Sequence, residues 1–322
     1  MSTRRGFIIG AGAVLAATAL GAVPGDLMQI EGPAFGARWR VLVPYGADTG
    51  AIVAAVRGVV ARTDARMSPY LAGSEISRVN GMQTRGWITV SHDTRATLGE
   101  AKRIHSLTQG AFDPTLGGIT GRYGFGPIEE APAGVFERLE IGPRGIRKAH
   151  VSQTLDLCGI AKGHALDLIV GAISALGHEA FFVELGGEVF AKGQHPAGRD
   201  WQAGIETPLV GAVGHRRIVR VAQEALATSG DRVNSYGFGS RSYGHIIDPR
   251  RQMPADTGLA SVSVFAPRAI TADALATALF VMGAERGVEW AKRAGVAALF
   301  LRREGDGLRE VVSSDFASRF VG

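Results

Sequence analysis

The stretch Leu155–Asp167, LDLCGIAKGHALD, leaves the backbone the least choice. Its apolar start reads as a short strand, Gly159 as part of a tight turn, and the residues from Lys162 onward as a helix. Glycines at 159 and 163 add backbone freedom and let a neighbouring group come close to the main chain. A turn that feeds a helix N-terminus collects unpaired N–H groups and partial positive charge, which suits a phosphate. Lys162 adds a full charge there, and Asp156 adds a carboxylate at the strand end. The same residues fit an ordinary strand–turn–helix joint with a solvated lysine, so the stretch alone does not decide. Cys158, between Leu157 and Gly159, reads as a buried small hydrophobe. It is the only cysteine, which excludes an internal disulfide, a cysteine-based zinc site and a CxxC redox pair.

Around this joint the hydrophobic pattern alternates between strand and helix periods. In FGARWRVLVP (35–44) the apolar Trp39, Val41 and Val43 alternate with Arg38, Arg40 and Leu42, the period of a strand. Residues 48–67 change to helical spacing through Ile52, Val56, Val59 and Val60, with Asp48 or Thr49 as N-cap. A loop and short helical turn follow in MSPYLAGSEISRVN (67–80), with Ser74 as a cap, and a helix over 94–108. GAFDPTLGGITGRYGFG (110–126) holds too much glycine and proline for a long regular element, and a loop of that length in a compact domain is usually functional or disordered. Residues 127–151 read as a small helix and a hairpin. Strands are expected at 180–185, 200–207, 216–221, 243–248 and 259–266, a polar loop at 229–239, and an apolar helix at 271–282. One more helix and strand close the chain. With 46% apolar and 20% charged residues the composition is globular. The irregular alternation predicts a mixed α+β fold in one domain over 26–322, not a doubly wound parallel sheet.

Residues 1–25, MSTRRGFIIGAGAVLAATALGAVPG, carry an address. Arg4–Arg5 precede Gly6–Phe7, no charge follows until Asp26, and the apolar run is moderate and ends in small residues. This resembles a twin-arginine export signal, which implies a periplasmic location, possible inner-membrane association included. An uncleaved membrane anchor is the competing reading of the same 20 or so uncharged residues. No cysteine follows the run, so a lipoprotein anchor is excluded. Loss of Arg4 and Arg5 would take the formal charge from +5 to +3. No Lys/Arg block resembles a nucleic-acid arm, so no nucleic-acid partner is expected.

Two further places carry chemistry. In ITADALATALFVMG (270–283) Asp273 lies one turn before Thr277, on one face of an otherwise apolar helix. A carboxylate there is costly unless it is paired or holds a cation, and hard oxygen ligands suit Mg²⁺. Capping competes with that reading: Thr271 as cap would leave Asp273 well placed in the first turn. SYGHIIDP (242–249) sets His245 and Asp248 about a strand end. His245 reads as a general base or as a packed residue. Ser229, His245 and Asp248 suggest a hydrolase triad only weakly, because no GxSxG elbow surrounds a serine. Walker and HExxH motifs are absent, and the GxG near Gly10 follows no strand, so a nicotinamide fold has no support.

FGARW (35–39), MSPYLAGSEISRVN (67–80), GAFDPTLGG (110–118), LDLCGIAKGHALD (155–167), ELGGEV (184–189), ATSGD (227–231), HIIDP (245–249) and DALATALFVMG (273–283) stand in one order. Together they resemble the ApbE family, the FAD:protein FMN transferases, across nearly all of residues 26–322. The resemblance implies an exported, Mg²⁺-dependent enzyme that cleaves FAD, its substrate, and joins FMN by a phosphoester bond to a Thr or Ser of an acceptor protein. The export signal suggests a membrane-bound electron-transfer subunit as acceptor, for instance of the Rnf or Nqr type. By the same resemblance Asp273, Thr277 and the Gly159 carbonyl would hold Mg²⁺, and Lys162 would face the FAD phosphates. Asp156, Phe35, Tyr70, Phe112 and Asp113 would line the dinucleotide, Tyr70 stacking on the isoalloxazine. His245 would act at the reacting centre, by deprotonating the acceptor or orienting the phosphate. Two residues depart from the family pattern: Cys158 where Gly or another small residue is common, and Glu188 where Asp is usual. Some members mainly hydrolyse FAD to FMN and AMP and others mainly bind it, so a FAD pyrophosphatase and a periplasmic FAD-binding protein are the alternatives.

Overall fold

The computed structural model describes residues 17–19, 26–129, 131–209, 211–232, 235–238 and 241–321. Its centre is an eight-stranded sheet in which each strand runs antiparallel to its neighbours. From one edge to the other the strands are Gly307–Ser313, Ala298–Glu304, Leu259–Ala266, Ala225–Gly230, Glu188–Lys192, Phe181–Leu185, Ala37–Pro44 and Leu27–Ala34. The mixed α+β expectation holds.

Residues 45–180 separate two strands that are neighbours in the sheet, and among the described residues they carry five α-helices. These are α1 (Thr49–Met67), α2 (Glu75–Gly81), α3 (His92–Leu107), α4 (Gly117–Arg122) and α5 (Ala161–Ala175); α6 (Ala269–Arg293) follows near the C-terminal end. Asp48 caps α1 through a 3.0 Å bond from the Ala51 N–H, and Ser74 caps α2 at 3.1 Å from Ser77, as the sequence predicts. The α6 helix breaks where its apolar run ends, at Gly283, which sits at φ 79° and ψ 174°. It then resumes to Arg293, and the chain closes with a hairpin of two strands, not one.

Strand periodicity sorts the core into two layers. Trp39, Val41, Val43, Phe181, Val183 and Leu185 face α1 and α5, where Ile52, Val56, Leu166 and Ile169 meet them. Leu42, Phe182, Leu226 and Phe265 face the other way, onto Trp201, Ile205, Val219 and Val221. Those four belong to a small sheet in which Trp201–Glu206 lies between His215–Val221 and Ala17–Ala19. Apart from that short strand, the export-signal reading falls on residues 1–16 and 20–25, which lie outside the described ones. Among the described residues no helix is long and apolar enough to cross a membrane.

Several local expectations change. The strand expected at 243–248 divides: Arg241–Gly244 closes one hairpin, and Ile247–Asp248 pairs with Met253–Pro254. Residues 155–157 are not a strand: the Leu155 N–H and C=O both bond to the Asn80 side chain, at 2.8 and 2.9 Å, and the Asp156 N–H bonds to the Pro114 carbonyl at 2.7 Å. Side chain and loop take the place of a ladder. The expected loop at 229–239 begins as sheet, since Ala225–Gly230 includes Ser229, and it continues as a hairpin, Ser235–Phe238 with Arg241–Gly244.

Candidate active site

The site forms where α5 and α6 begin. Gly163 is the third residue of α5, and a Cβ there would stand 2.4 Å from the Ala269 carbonyl oxygen, so only glycine lets the helices meet this closely. Across this contact each helix caps the other. Asp167 of α5 accepts from the Ala269 and Ile270 N–H groups at 2.7 and 3.3 Å. Asp273 of α6 accepts from the Gly163 N–H at 2.9 Å. Thr271 does not cap its helix; its hydroxyl donates to Glu100 at 2.6 Å.

Asp273 is buried, and burial pushes its carboxyl above the ordinary carboxylate range despite Lys162 and the Gly163 N–H. One turn on, the Thr277 hydroxyl lies 3.0 Å from that of Ser229. A Cβ on Gly159 would stand 3.6 Å from the Thr277 hydroxyl and 3.3 Å from the Phe112 ring. Gly159, Phe112, Asp273 and Thr277 therefore converge, with Ser229 added from the sheet. Among the described residues no three His, Cys, Asp or Glu form a metal cluster. The candidate donors are a carboxylate, a hydroxyl and a carbonyl, an oxygen set that fits a hard cation, and a cation would offset the buried Asp273 charge.

Lys162 reaches from the first turn of α5 to Glu188, 2.5 Å away. Glu188 follows Gly186 and Gly187, whose φ values of 57° and 105° make the two-residue hairpin turn. Burial pushes Glu188 up to about 7 against the pull of Lys162, and its second oxygen is buried without a hydrogen-bond partner. Burial works against the Lys162 charge, but Glu188 and Asp273 outweigh it and hold the ammonium protonated. The neighbouring hairpin turns at Phe35–Gly36, and its Ala37 Cβ lies 3.6 Å from where a Gly186 Cβ would be. Phe35 thus stands at the same end of the sheet, at a φ of 51°.

Asp156 folds its carboxylate onto the Cys158 N–H at 2.9 Å. Cys158 is exposed, contrary to the sequence reading, because Leu157 and Ile160 take the buried positions of the turn. Partial burial, then Cys158 and Asp156, push Tyr70 up to about 12, and its hydroxyl donates to the Phe125 carbonyl at 3.2 Å. Asp113 turns into its own loop, accepting from the Thr115 N–H and hydroxyl at 2.7 and 2.5 Å. His245 is half-buried, with its ring edge-on to Phe125 at 6.4 Å. The suggested triad is not assembled: Ser229 bonds to Thr277, and Asp248 accepts from the Arg250 N–H at 2.9 Å. A cleft of about 670 Å³ bounded by Arg85, Glu137, Arg138 and Lys148 contains none of these residues.

Sequence reasoning marked Glu188 only as a departure from the family pattern and Ser229 only as a weak triad candidate, missing their partners Lys162 and Thr277, and it did not single out Phe125. Glu188 carried a signal, its place after a glycine pair, whereas the other two are recruited by packing alone.

Comparison with known proteins points one way. Residues 35–300 match the model of the ApbE family. A FAD:protein FMN transferase of Vibrio cholerae is 32% identical over 91% of this chain and 92% of its own length. One from Haemophilus influenzae is 32% identical over 81% of each. The solved flavin transferase ApbE from Vibrio cholerae superposes with a TM-score of 0.82, covering 91% of this chain and 99% of that one. The apo flavinyl transferase ApbE of Pseudomonas stutzeri gives 0.82 at 29% identity, covering 92% and 98%.

Proposed function

This chain belongs to the ApbE family, and we propose that it uses the residues gathered where α5 and α6 begin to move FMN from FAD onto a protein. It is a FAD:protein FMN transferase. The bond between the two phosphates of FAD breaks, AMP leaves, and the FMN phosphorus bonds to an oxygen of the acceptor. By the resemblance to the family, the acceptor group is the hydroxyl of a Thr or Ser, whose oxygen would form the phosphoester.

The observation that carries the site assignment is Asp273, buried beside Thr277 and Gly159 with Lys162 close by. Asp273, Thr277 and the Gly159 carbonyl would hold Mg²⁺, which when bound neutralises charge on the phosphate oxygens. Lys162 binds the pyrophosphate as a fixed cation kept protonated by its carboxylate neighbours. Tyr70, Phe112 and Phe35 enclose the flavin and adenosine ends, with Asp156 and Asp113 shaping the loops that carry them. His245 takes the proton of the acceptor hydroxyl as the oxygen attacks phosphorus. The Arg4–Arg5 segment supports a periplasmic location, and with it an acceptor in a membrane-bound electron-transfer subunit.

The test is incubation with FAD, Mg²⁺ and the Thr-bearing domain of such a subunit, followed by mass spectrometry of the acceptor. One added FMN is expected, and none with EDTA. Asp273→Asn keeps the acceptor for the Gly163 N–H but loses the charge. It should fold and melt like the parent while transfer falls about 10²–10³-fold, the usual range for a removed electrostatic group. Free FMN and AMP beside an unmodified acceptor would identify water as the nucleophile. Intact FAD throughout would make the chain a binding protein.

A further inference from the structure

The hairpin ahead of His245 stands apart from the main sheet. Among the described residues, Ser235–Phe238 and Arg241–Gly244 pair with each other and no third strand joins either outer edge. Tyr236 and Tyr243 are directly opposite in its register, and their rings stack at 5.5 Å and 20°. The stack extends both ways into the 110–126 loop: Tyr236 lies on Phe125 at 5.3 Å and Tyr243 on Tyr123 at 6.3 Å. The result is a column of four rings, Tyr123, Tyr243, Tyr236 and Phe125, whose Phe125 end meets the His245 ring edge-on. Tyr236 remains 43% exposed.

Stacked tyrosines offer rigid, amphipathic contact area at little cost in side-chain entropy. An unpaired strand edge offers a row of N–H and C=O groups that an extended polypeptide can join. The second strand of the hairpin ends at Gly244, next to His245, and the Phe125 ring meets the His245 ring at 6.4 Å, where the acceptor hydroxyl must be held. The dinucleotide side of the site, built from Lys162, Asp156 and Tyr70, meets the column at its Phe125 end, where the Tyr70 hydroxyl donates to the Phe125 carbonyl at 3.2 Å. A protein substrate needs a surface of its own there, because a hydroxyl on a long chain reacts efficiently only when its flanking residues fix its position.

We propose that the 235–244 hairpin and its aromatic column are the docking surface for the acceptor: an extended segment of the acceptor protein lies along the hairpin and rings, presenting its hydroxyl to His245. This deepens the transferase reading and rests on it.

The test uses the full chain with Mg²⁺, FAD and the acceptor domain named above, and compares Tyr236→Ala, Tyr236→Phe and Tyr243→Ala. Acceptor KM is measured from the rate of FMN incorporation, and FAD Kd from flavin fluorescence. Tyr236→Ala should raise acceptor KM about tenfold while FAD Kd stays within about twofold, as for loss of one aromatic contact in an interface. Tyr236→Phe should restore KM, since the ring does the binding. Tyr243→Ala should repeat the KM effect from the next ring and guards against a fault peculiar to one variant. A FAD Kd that weakens in step with KM would make the column part of the flavin site and overturn the proposal. So would an unchanged acceptor KM in both alanine variants. If the unaltered chain binds FAD but modifies no acceptor, the transferase reading fails and the docking surface with it.

Discussion

His164 shows how the position of one residue becomes a property of the fold. It is buried in the first turn of α5, and its Nε2 has no hydrogen-bond partner. Burial holds its pKa below the ordinary 6.5, partly opposed by Asp93 and assisted by Arg268 and Arg66. The folded chain therefore keeps the imidazole neutral at a pH where the unfolded chain protonates it. The unfolded state binds the extra proton, so stability is full above about 6.5 and is lost as pH falls through that value toward the folded pKa. Urea unfolding on both sides of that pH should show the loss, and His164→Leu should weaken the dependence; identical slopes would mean that His164 is not held neutral. Phe35 belongs at this scale as well. At a φ of 51° it occupies a turn position that favours Gly or Asn, at a cost of roughly 1–3 kcal/mol. Nothing in FGARW reveals that strain without the hairpin partner.

At the scale of elements, the contact between α5 and α6 sets the geometry of the site. Asp167 and Asp273 each serve the other helix, 102 and 110 residues away in the chain. The i,i+4 spacing of Asp273 and Thr277 was legible because helix periodicity fixes it. The destination of the Asp273 carboxylate was not, because a cap across that separation depends on how two helices dock. Thr271 is polar, lies in the first turn and resembles a cap, yet it bonds to Glu100 of α3. Gly163→Ala is the decisive substitution here. Its Cβ would meet a backbone oxygen, which cannot swing aside, so α5 must shift. A loss of about 1–3 kcal/mol is expected, the usual cost of overpacking. The shift carries Lys162 with it, so FAD affinity should fall too. Thermal melts and a FAD titration of the variant check both; an unchanged melting point would show that the helices stand farther apart.

Across the whole molecule, the sheet separates stability from chemistry. The mutually capped helices lie on one face, and the aromatic layer around Phe182, Trp201 and Phe265 lies on the other. Phe182 is fully buried, and its ring lies 6.0 Å from that of Trp201. Phe182→Ala should cost about 3–5 kcal/mol in urea unfolding, as large-to-small core changes do. FAD affinity in the still-folded protein should hold, because that layer packs on the face of the sheet opposite α1 and α5. A fall in affinity matching the fall in stability would contradict that separation. The order of strands belongs to this scale too. Ala37–Pro44 and Phe181–Leu185 are sheet neighbours although residues 45–180 separate them, and periodicity carries no information about such pairing.

The sequence by itself determined what operates over a few residues. That covers the alternation of 37–44, the caps Asp48 and Ser74, the apolar run of α6 that breaks at Gly283, and the shared face of Asp273 and Thr277. Backbone sterics and local hydrogen bonds act within about one helical turn, so their outcome is written where it occurs. Tertiary structure alone decided the partners. Asn80 in place of a strand neighbour for Leu155, Glu188 on Lys162, Ser229 on Thr277, and the rings gathered before His245 all depend on elements from distant parts of the chain packing together. Close packing of the core fixes those meetings once every element is in place, and no single stretch contains that information.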